Sequence, residues 1–273
     1  MIFKQLPQRV VNPPVLLEAG PFVVKLAETQ EEVTAALRLR YRVFNLEQGK
    51  GLESASTHGL DLDEFDEFCL HLLVVERNTA RTVGTYRLHL GVVADSAIGF
   101  YSAREYDIQG IAEIGSQCME LGRSCVDPEF RQGAAVSLLW QGVAEVLTRS
   151  RLRYLLGCVS LETTDPAIGW AIHHHLIHKY SCSTLLTAIP RPAFLLPRPP
   201  QAEIEAVIAR GHLEKHIPPL FKGYLRLNAA ICGEPAIDRE FGTIDFLILV
   251  DTSQVPERYR RHFNYSYQSP ENG

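Results

Sequence analysis

The 273-residue sequence has no run of about 18 apolar residues, which argues against a membrane-spanning helix. It has no basic excess either. The 27 Lys and Arg stand against 32 Asp and Glu for a net charge of −5, so nucleic acid is not expected as a partner. Six cysteines, at positions 69, 118, 125, 158, 182 and 232, include no C-x-x-C pair, and no signal-peptide-like apolar run follows Lys4. Reduced thiols in the cytosol are therefore expected, with Cys125 and Cys158 inert in apolar strands. There is no internal repeat and no H-E-x-x-H pattern. His174 and His178 share a helix face beside His173 and His175 but lack a third ligand, and the acidic run Asp61 to Asp66 lacks the central glycine and closing glutamate of a calcium loop. No metal site is expected.

What the chain does contain is 46% hydrophobic residues, enough for an ordinary core, and one unusual joint. Residues 119–140, MELGRSCVDPEFRQGAAVSLLW, read as a strand carrying Glu120 and Arg123, a stop at Asp127-Pro128, and a helix opened by Gly133-Ala134-Ala135. Unpaired N–H groups at a helix start, beside small residues, admit a phosphate. The joint is a place to hold a phosphorylated arm.

The first 20 residues hold three prolines and little periodicity, and are expected as an arm; residues 264–273 are expected as a tail. Between them, 21–263 is expected to form one domain. Phe22 to Leu26 reads as a strand, and Thr29 caps a helix from Glu31 to about Phe44. Leu70 to Glu76 and Thr82 to Leu90 read as a hairpin. Strands at 118–126 and 154–161 alternate with helices at 133–149 and 166–180, and a strand at 184–189 follows. A Pro-rich, helical insertion spans 191–235, with helices at 201–211 and 220–230. A strand at 241–250 closes the order, and a basic patch, Arg258 to His262, lies near the end. This is a mixed α/β sheet flanked by helices.

That order and the joint resemble the GNAT superfamily of acyl-CoA-dependent N-acyltransferases, whose R-x-x-G-x-G-like turn holds a pyrophosphate. Here the turn is Arg131-Gln132-Gly133-Ala134-Ala135-Val136, with the arginine kept and the usual two glycines lost. A closer resemblance, from about Leu39 to Phe263, is to the bacterial ornithine–acyl-carrier-protein N-acyltransferases that make lyso-ornithine lipid. It rests on Leu121-Gly122-Arg123-Ser124-Cys125-Val126, Leu138-Leu139-Trp140, Gly157-Cys158, Asp165-Pro166, the run Pro219 to Leu227, and Cys232-Gly233-Glu234-Pro235. It implies a GNAT-like fold, an acyl carrier protein partner and an amino-acid acceptor. No tightly bound cofactor is implied. The donor would be the 4'-phosphopantetheine arm of the carrier, or CoA, held by Val126, Arg131, Gly133, Ala134 and Ala135. An arm with one phosphate suits the reduced loop.

The chain also resembles acyl-homoserine-lactone synthases in their pattern R-x-x-x-F, D-x-x-D, a strand arginine and E-x-x-R. Arg40 and Phe44, Asp63 and Asp66, Arg87, and Glu120 and Arg123 match it. The tryptophan after the phenylalanine is absent, which implies a plain N-acyl product. The resemblance makes Glu120, Arg123 and Arg87 the catalytic set, and Arg40, Phe44, Asp63 and Asp66 the substrate-binding set.

The chemistry needs a deprotonated amine, a thioester carbonyl and an oxyanion donor. Glu120 would take the amine proton and an N–H near Gly122 would face the oxyanion. Residues three apart on a regular strand face opposite ways, so a bulge at Gly122 is required to bring Glu120 and Arg123 together. The residues leave alternatives open: a structural ion pair of Glu120 with Arg123 or Arg87, a solvated acidic loop, or a silent carrier-binding module. Glycine, lysine or tyrosine remain open beside ornithine as acceptor. Arg149, Arg151 and Arg153 would steer an acidic carrier, or only complement a helix end. Phe194-Leu195-Leu196 and Leu220-Phe221 would touch the inner face of the membrane, or only fill a core.

Overall fold

The computed structural model describes residues 13–52 and 54–263, so most of the expected arm and the tail at 264–273 lie outside the described residues. In chain order the strands are β1 (Val15–Ala19), β2 (Phe22–Leu26), β3 (Leu70–Glu76), β4 (Arg81–Leu90), β5 (Tyr106–Gln109) and β6 (Cys118–Val126). They continue as β7 (Tyr154–Leu161), β8 (Thr187–Pro190), β9 (Ala230–Ile231), β10 (Ala236–Asp238) and β11 (Thr243–Asp251). The described chain gathers into two compact units. One holds the residues up to Gly99, Gln117–Arg153 and those from Glu257; the other holds Phe100–Ser116 and Tyr154–Pro256.

In the first unit an antiparallel ladder runs β1, β2, β3, β4, β6. Strands β3 and β4 are buried almost throughout, because both faces of the ladder are covered and the apolar/polar alternation is lost. Helix Ala135–Ser150 lies on one face. It approaches closely at Gly142, where an added Cβ would stand 2.8 Å from Leu72 Cδ1 and 2.9 Å from Val24 Cγ1. Helix Gln30–Tyr41 covers the other face, packing Val33, Ala36 and Leu37 against Leu73. Since Leu72 and Leu73 are neighbours on β3, they point to opposite faces, and each meets its own helix.

Two local features depart from the sequence reading. A strand, β1, forms inside the Pro-bearing arm, paired with β2 through a turn at Gly20 (φ +55°) and Pro21. The first helix ends at Tyr41, and Arg42–Glu47 continues as a π-helix that carries Phe44.

In the second unit β7 and β11 pair over eight residues, from Leu161↔Ile244 to Tyr154↔Asp251. β10 and β9 both pair with β11, and β5 pairs with β8. Helix Pro166–Lys179 meets β11 at Gly169, whose Cβ would lie 2.8 Å from Ile244 Cδ1. Trp170 Nε1 donates to the Pro197 carbonyl at 3.1 Å and so fixes the Pro-rich segment. The insertion is helical at Gln201–Arg210 and Pro219–Arg226, the latter ending four residues before the sequence-predicted 230.

Candidate functional site

The β4–β6 ladder carries the site. His89 faces Glu120 and Arg87 faces Gly122, but the next pair is Thr85 with Cys125, so β6 holds one residue more than its partner. The bulge lies at Arg123-Ser124, with Arg123 in the left-handed region (φ +52°), one position beyond the Gly122 expected from the sequence. Arg87 and His89 point to one face, as do Glu120 and Gly122 opposite them. The bulge turns Arg123 toward the same acidic loop that Arg87 reaches.

That loop is held by three arginines and three aspartates. Arg40 donates from Nε to Asp61 Oδ1 at 2.7 Å and from Nη1 to Asp66 Oδ1 at 2.6 Å. Arg87 Nη1 reaches Asp63 Oδ1 at 2.6 Å and Asp66 Oδ1 at 3.4 Å. Arg123 lies 3.4 Å from Asp63 and 3.7 Å from Asp61. Arg40, Asp61 and Asp66 are completely enclosed. Burial by itself would raise the Asp66 carboxyl, but Arg40 and Arg87 beside it hold it well below the ordinary carboxylate range. Asp63 is lowered for the same reason, chiefly by Arg87. His71, whose Nε2 lies 3.2 Å from the Asp66 carbonyl, is pushed down to about 4 by burial and is neutral at pH 7.

The two aspartates also build the turn they sit on. Asp63 caps the 3-10 helix Glu64–Glu67 by accepting from the Phe65 N–H, and Asp66 accepts from the Asp63 N–H, completing a capping box. Phe65 then lies under the Arg87 guanidinium, 5.7 Å from its ring centre, and edge-on to His89. Phe44 packs beside Leu39, Val43 and Cys125. The Cys125 thiol is pushed up to about 12 by burial, which leaves it no thiolate for nucleophilic work at neutral pH.

At the joint, Val126 ends β6 and its carbonyl accepts from Arg131 Nε at 3.1 Å. The other two Arg131 nitrogens make a fork with Glu47 at 2.5 and 2.6 Å on the surface. Gly133 and Ala134 are exposed and Ala135 is buried. Ala134 is the N-cap and has no side chain to cap the first turn, while the Gly133 N–H donates to the Phe130 carbonyl at 3.2 Å.

Three residues that sequence reasoning passed over belong to this arrangement. Asp61 is the enclosed partner of Arg40, and His89 stands 3.8 Å from Glu120. Asp127 accepts from Arg42 and Arg81 at 3.1 and 2.6 Å and from the Glu129 N–H, which braces the joint. The Asp-Pro pair read only as a stop to the strand, and His89 repeats the period-two spacing of Arg87. Nothing local marked Asp61. The histidines of helix Pro166–Lys179 belong to the second unit; His174 and His178 stack at 4.1 Å, with His178 Nδ1 at 2.7 Å from the His174 carbonyl.

Comparison with known proteins gives consistent names. Residues 39–141 match the family described as "Acetyltransferase (GNAT) domain". The chain is 35% identical over 264 residues to an L-ornithine N(alpha)-acyltransferase of Brucella abortus, covering 91% of each. It is 35% identical to an L-ornithine N(alpha)-acyltransferase of Agrobacterium fabrum, covering 89% of this chain and 85% of the other. Among solved structures it is similar to a CoA-dependent acyl-homoserine lactone synthase, at 16% identity and a TM-score of 0.45 over 86% of this chain and 84% of that one.

Proposed function

The chain belongs to the L-ornithine Nα-acyltransferase family, and on that premise we propose that it moves a 3-hydroxy or long-chain fatty acyl group from acyl carrier protein to the α-amine of L-ornithine. It is an acyltransferase with a GNAT domain. In the reaction the amine nitrogen attacks the thioester carbon, the C–N bond forms, the C–S bond breaks and the thiol leaves. Glu120 takes the proton the amine must lose, directly or through a water. A backbone N–H of the bulge, released from the ladder, faces the developing oxyanion.

The observation that carries this reading is that Glu120 and Val126 stand on one strand with the bulge between them. At about 3.3 Å per residue, the six steps from Glu120 to Val126 span about 20 Å, the order of an extended phosphopantetheine arm. A phosphate held at the Gly133-Ala134-Ala135 turn, by first-turn amides other than that of Gly133, then leaves the thioester beside Glu120. The methyl group of the exposed Ala134, where a glycine is usual, narrows the turn, which favours one phosphate over a pyrophosphate. Arg131, forked to Glu47, steadies that turn.

For the acceptor, Asp63 is the carboxylate that orients the amine. Arg40 and Asp66, being enclosed, act behind it, and Arg87 and Arg123 fix its two oxygens. Phe44, packed beside Cys125 from its π-helix, is assigned to the acceptor by the resemblance. We further place product release at the inner face of a membrane, in keeping with the exposed Leu195 and Leu220; among the described residues no helix is long and apolar enough to cross one.

The test is thiol release from acyl carrier protein and from CoA carrying the same acyl group, with ornithine, lysine, glycine and tyrosine as acceptors and mass analysis of the product. Turnover with carrier and ornithine is expected. Equal turnover with acyl-CoA overturns the single-phosphate reading, and preference for another amine overturns the acceptor. Sedimentation with anionic vesicles tests membrane contact.

A further inference from the structure

The second unit buries three carboxylates that the acyl-transfer chemistry does not use. Glu105, Asp238 and Asp245 each offer an oxygen within 4.8 Å of the others, and each residue is more than nine-tenths buried. The fold brings them there. Thr243 and Asp245 are two apart on β11 and share a face, Asp238 on β10 stands directly opposite Thr243, and Ser160 on β7 stands opposite Asp245. Glu105 is delivered by its neighbour Tyr106, whose hydroxyl donates to the Asp245 carbonyl at 2.8 Å, and by its own carbonyl, which accepts from the Arg191 N–H at 2.8 Å.

A threonine stands on the same sheet face as the cluster. Thr243 Oγ1 and Asp245 Oδ1 are buried with no hydrogen-bond partner, although the threonine shares its sheet face with both aspartates. Among the described residues no arginine, lysine or histidine forms an ion pair with Asp238 or Asp245. Buried carboxylates are paired, protonated or bound to a metal.

We propose that Glu105, Asp238, Asp245 and Thr243 form a structural site for one hard divalent cation, with calcium the best fit. All four donors are oxygens, which suit Ca2+ or Mg2+ over the softer transition metals. Ligands at about 2.3–2.6 Å from Ca2+ stand up to about 5 Å apart, which accommodates the observed spread. A cation here joins β5 to β10 and β11. The site does not depend on the acyl-transfer reading, and its test makes no use of turnover.

The experiment uses the whole chain, stripped with EDTA and dialysed at pH 7.5. Native mass spectrometry is expected to show one Ca2+ per chain, and the melting temperature is expected to rise saturably with CaCl2 by several degrees beyond NaCl at equal ionic strength. Asp245→Asn and the isosteric Thr243→Val should both lessen that rise, the second serving if the first fails to fold. A chain that stays metal-free at 1 mM CaCl2 and melts as in NaCl overturns the site. So does a rise that Thr243→Val leaves untouched together with an unchanged Asp245→Asn response. A rise with MgCl2 alone overturns calcium and keeps the hard-cation site.

Discussion

Replacing Asp66 with asparagine tests whether the acidic motif is architecture. The carboxylate accepts from Arg40 at 2.6 and 3.2 Å, from Arg87 at 3.4 Å and from the Asp63 N–H at 2.9 Å, all within an enclosed cluster of three arginines and three aspartates. Asp66→Asn leaves that cluster one positive charge in excess without creating a cavity. Breaking a buried pair from one side typically costs about 3–5 kcal/mol. At about 2 °C per kcal/mol for a chain of this size, the melting temperature should fall by about 6–10 °C.

The pH dependence sharpens the test. The folded Asp66 carboxyl lies below its unfolded value, which is near the usual carboxylate pKa of about 3.9. Its contribution is therefore complete above about pH 5 and is lost as pH falls through 4 toward the folded value. Urea unfolding between pH 3 and 7 should show the wild type losing stability steeply on acidification and Asp66→Asn losing less. Stability within about 1 kcal/mol of wild type at pH 7, with an unchanged acid slope, would refute the network reading.

Glu120→Gln should lower kcat by about 10²–10⁴ with little change in donor KM, as expected for loss of a general base; undiminished turnover in a pH–rate profile assigns the base elsewhere. Arg131→Gln should raise the KM for the acyl donor and leave the melting temperature nearly unchanged, because its fork with Glu47 is exposed; an unaltered KM removes it from the donor site. Gly110→Ala should destabilise the second unit by about 2–5 kcal/mol. Its φ is +85° and the new Cβ would stand 2.2 Å from the Leu185 carbonyl oxygen, so strain and backbone displacement add. Chemical denaturation that finds no loss would contradict that geometry.

The elements that were legible from sequence are the longer, mostly buried strands. Strands at 70–76, 118–126 and 154–161 fall where the apolar runs put them, bounded by Gly, Pro, Asp and charged residues. β1 was hidden because Pro13 and Pro14 precede it and it is an edge strand, where proline is tolerated and the pattern is short. The switch from α to π at Arg42 runs for six residues, too short a window for apolar spacings to reveal the changed period.

The site divides along the same physical line. Glu120, Arg123 and the Asp-Pro stop were visible because they cluster within a few residues, and a bulge near Gly122 followed only once Glu120 and Arg123 were taken to act together. The partners of the aspartates were not visible, since Arg40 and Arg87 lie more than 20 positions away on other elements. A D-x-x-D run reads as a ligand for an amine until its arginines are placed. Once they are, Asp66 is spent on Arg40 and on capping the turn, and Asp63 is the member whose position the whole cluster sets. On the proposed function, the motif is a device for aiming one carboxylate. That accounts for why three arginines, one on the strand of Glu120 and one on its neighbour β4, are used to hold a loop that charge alone would keep in solvent.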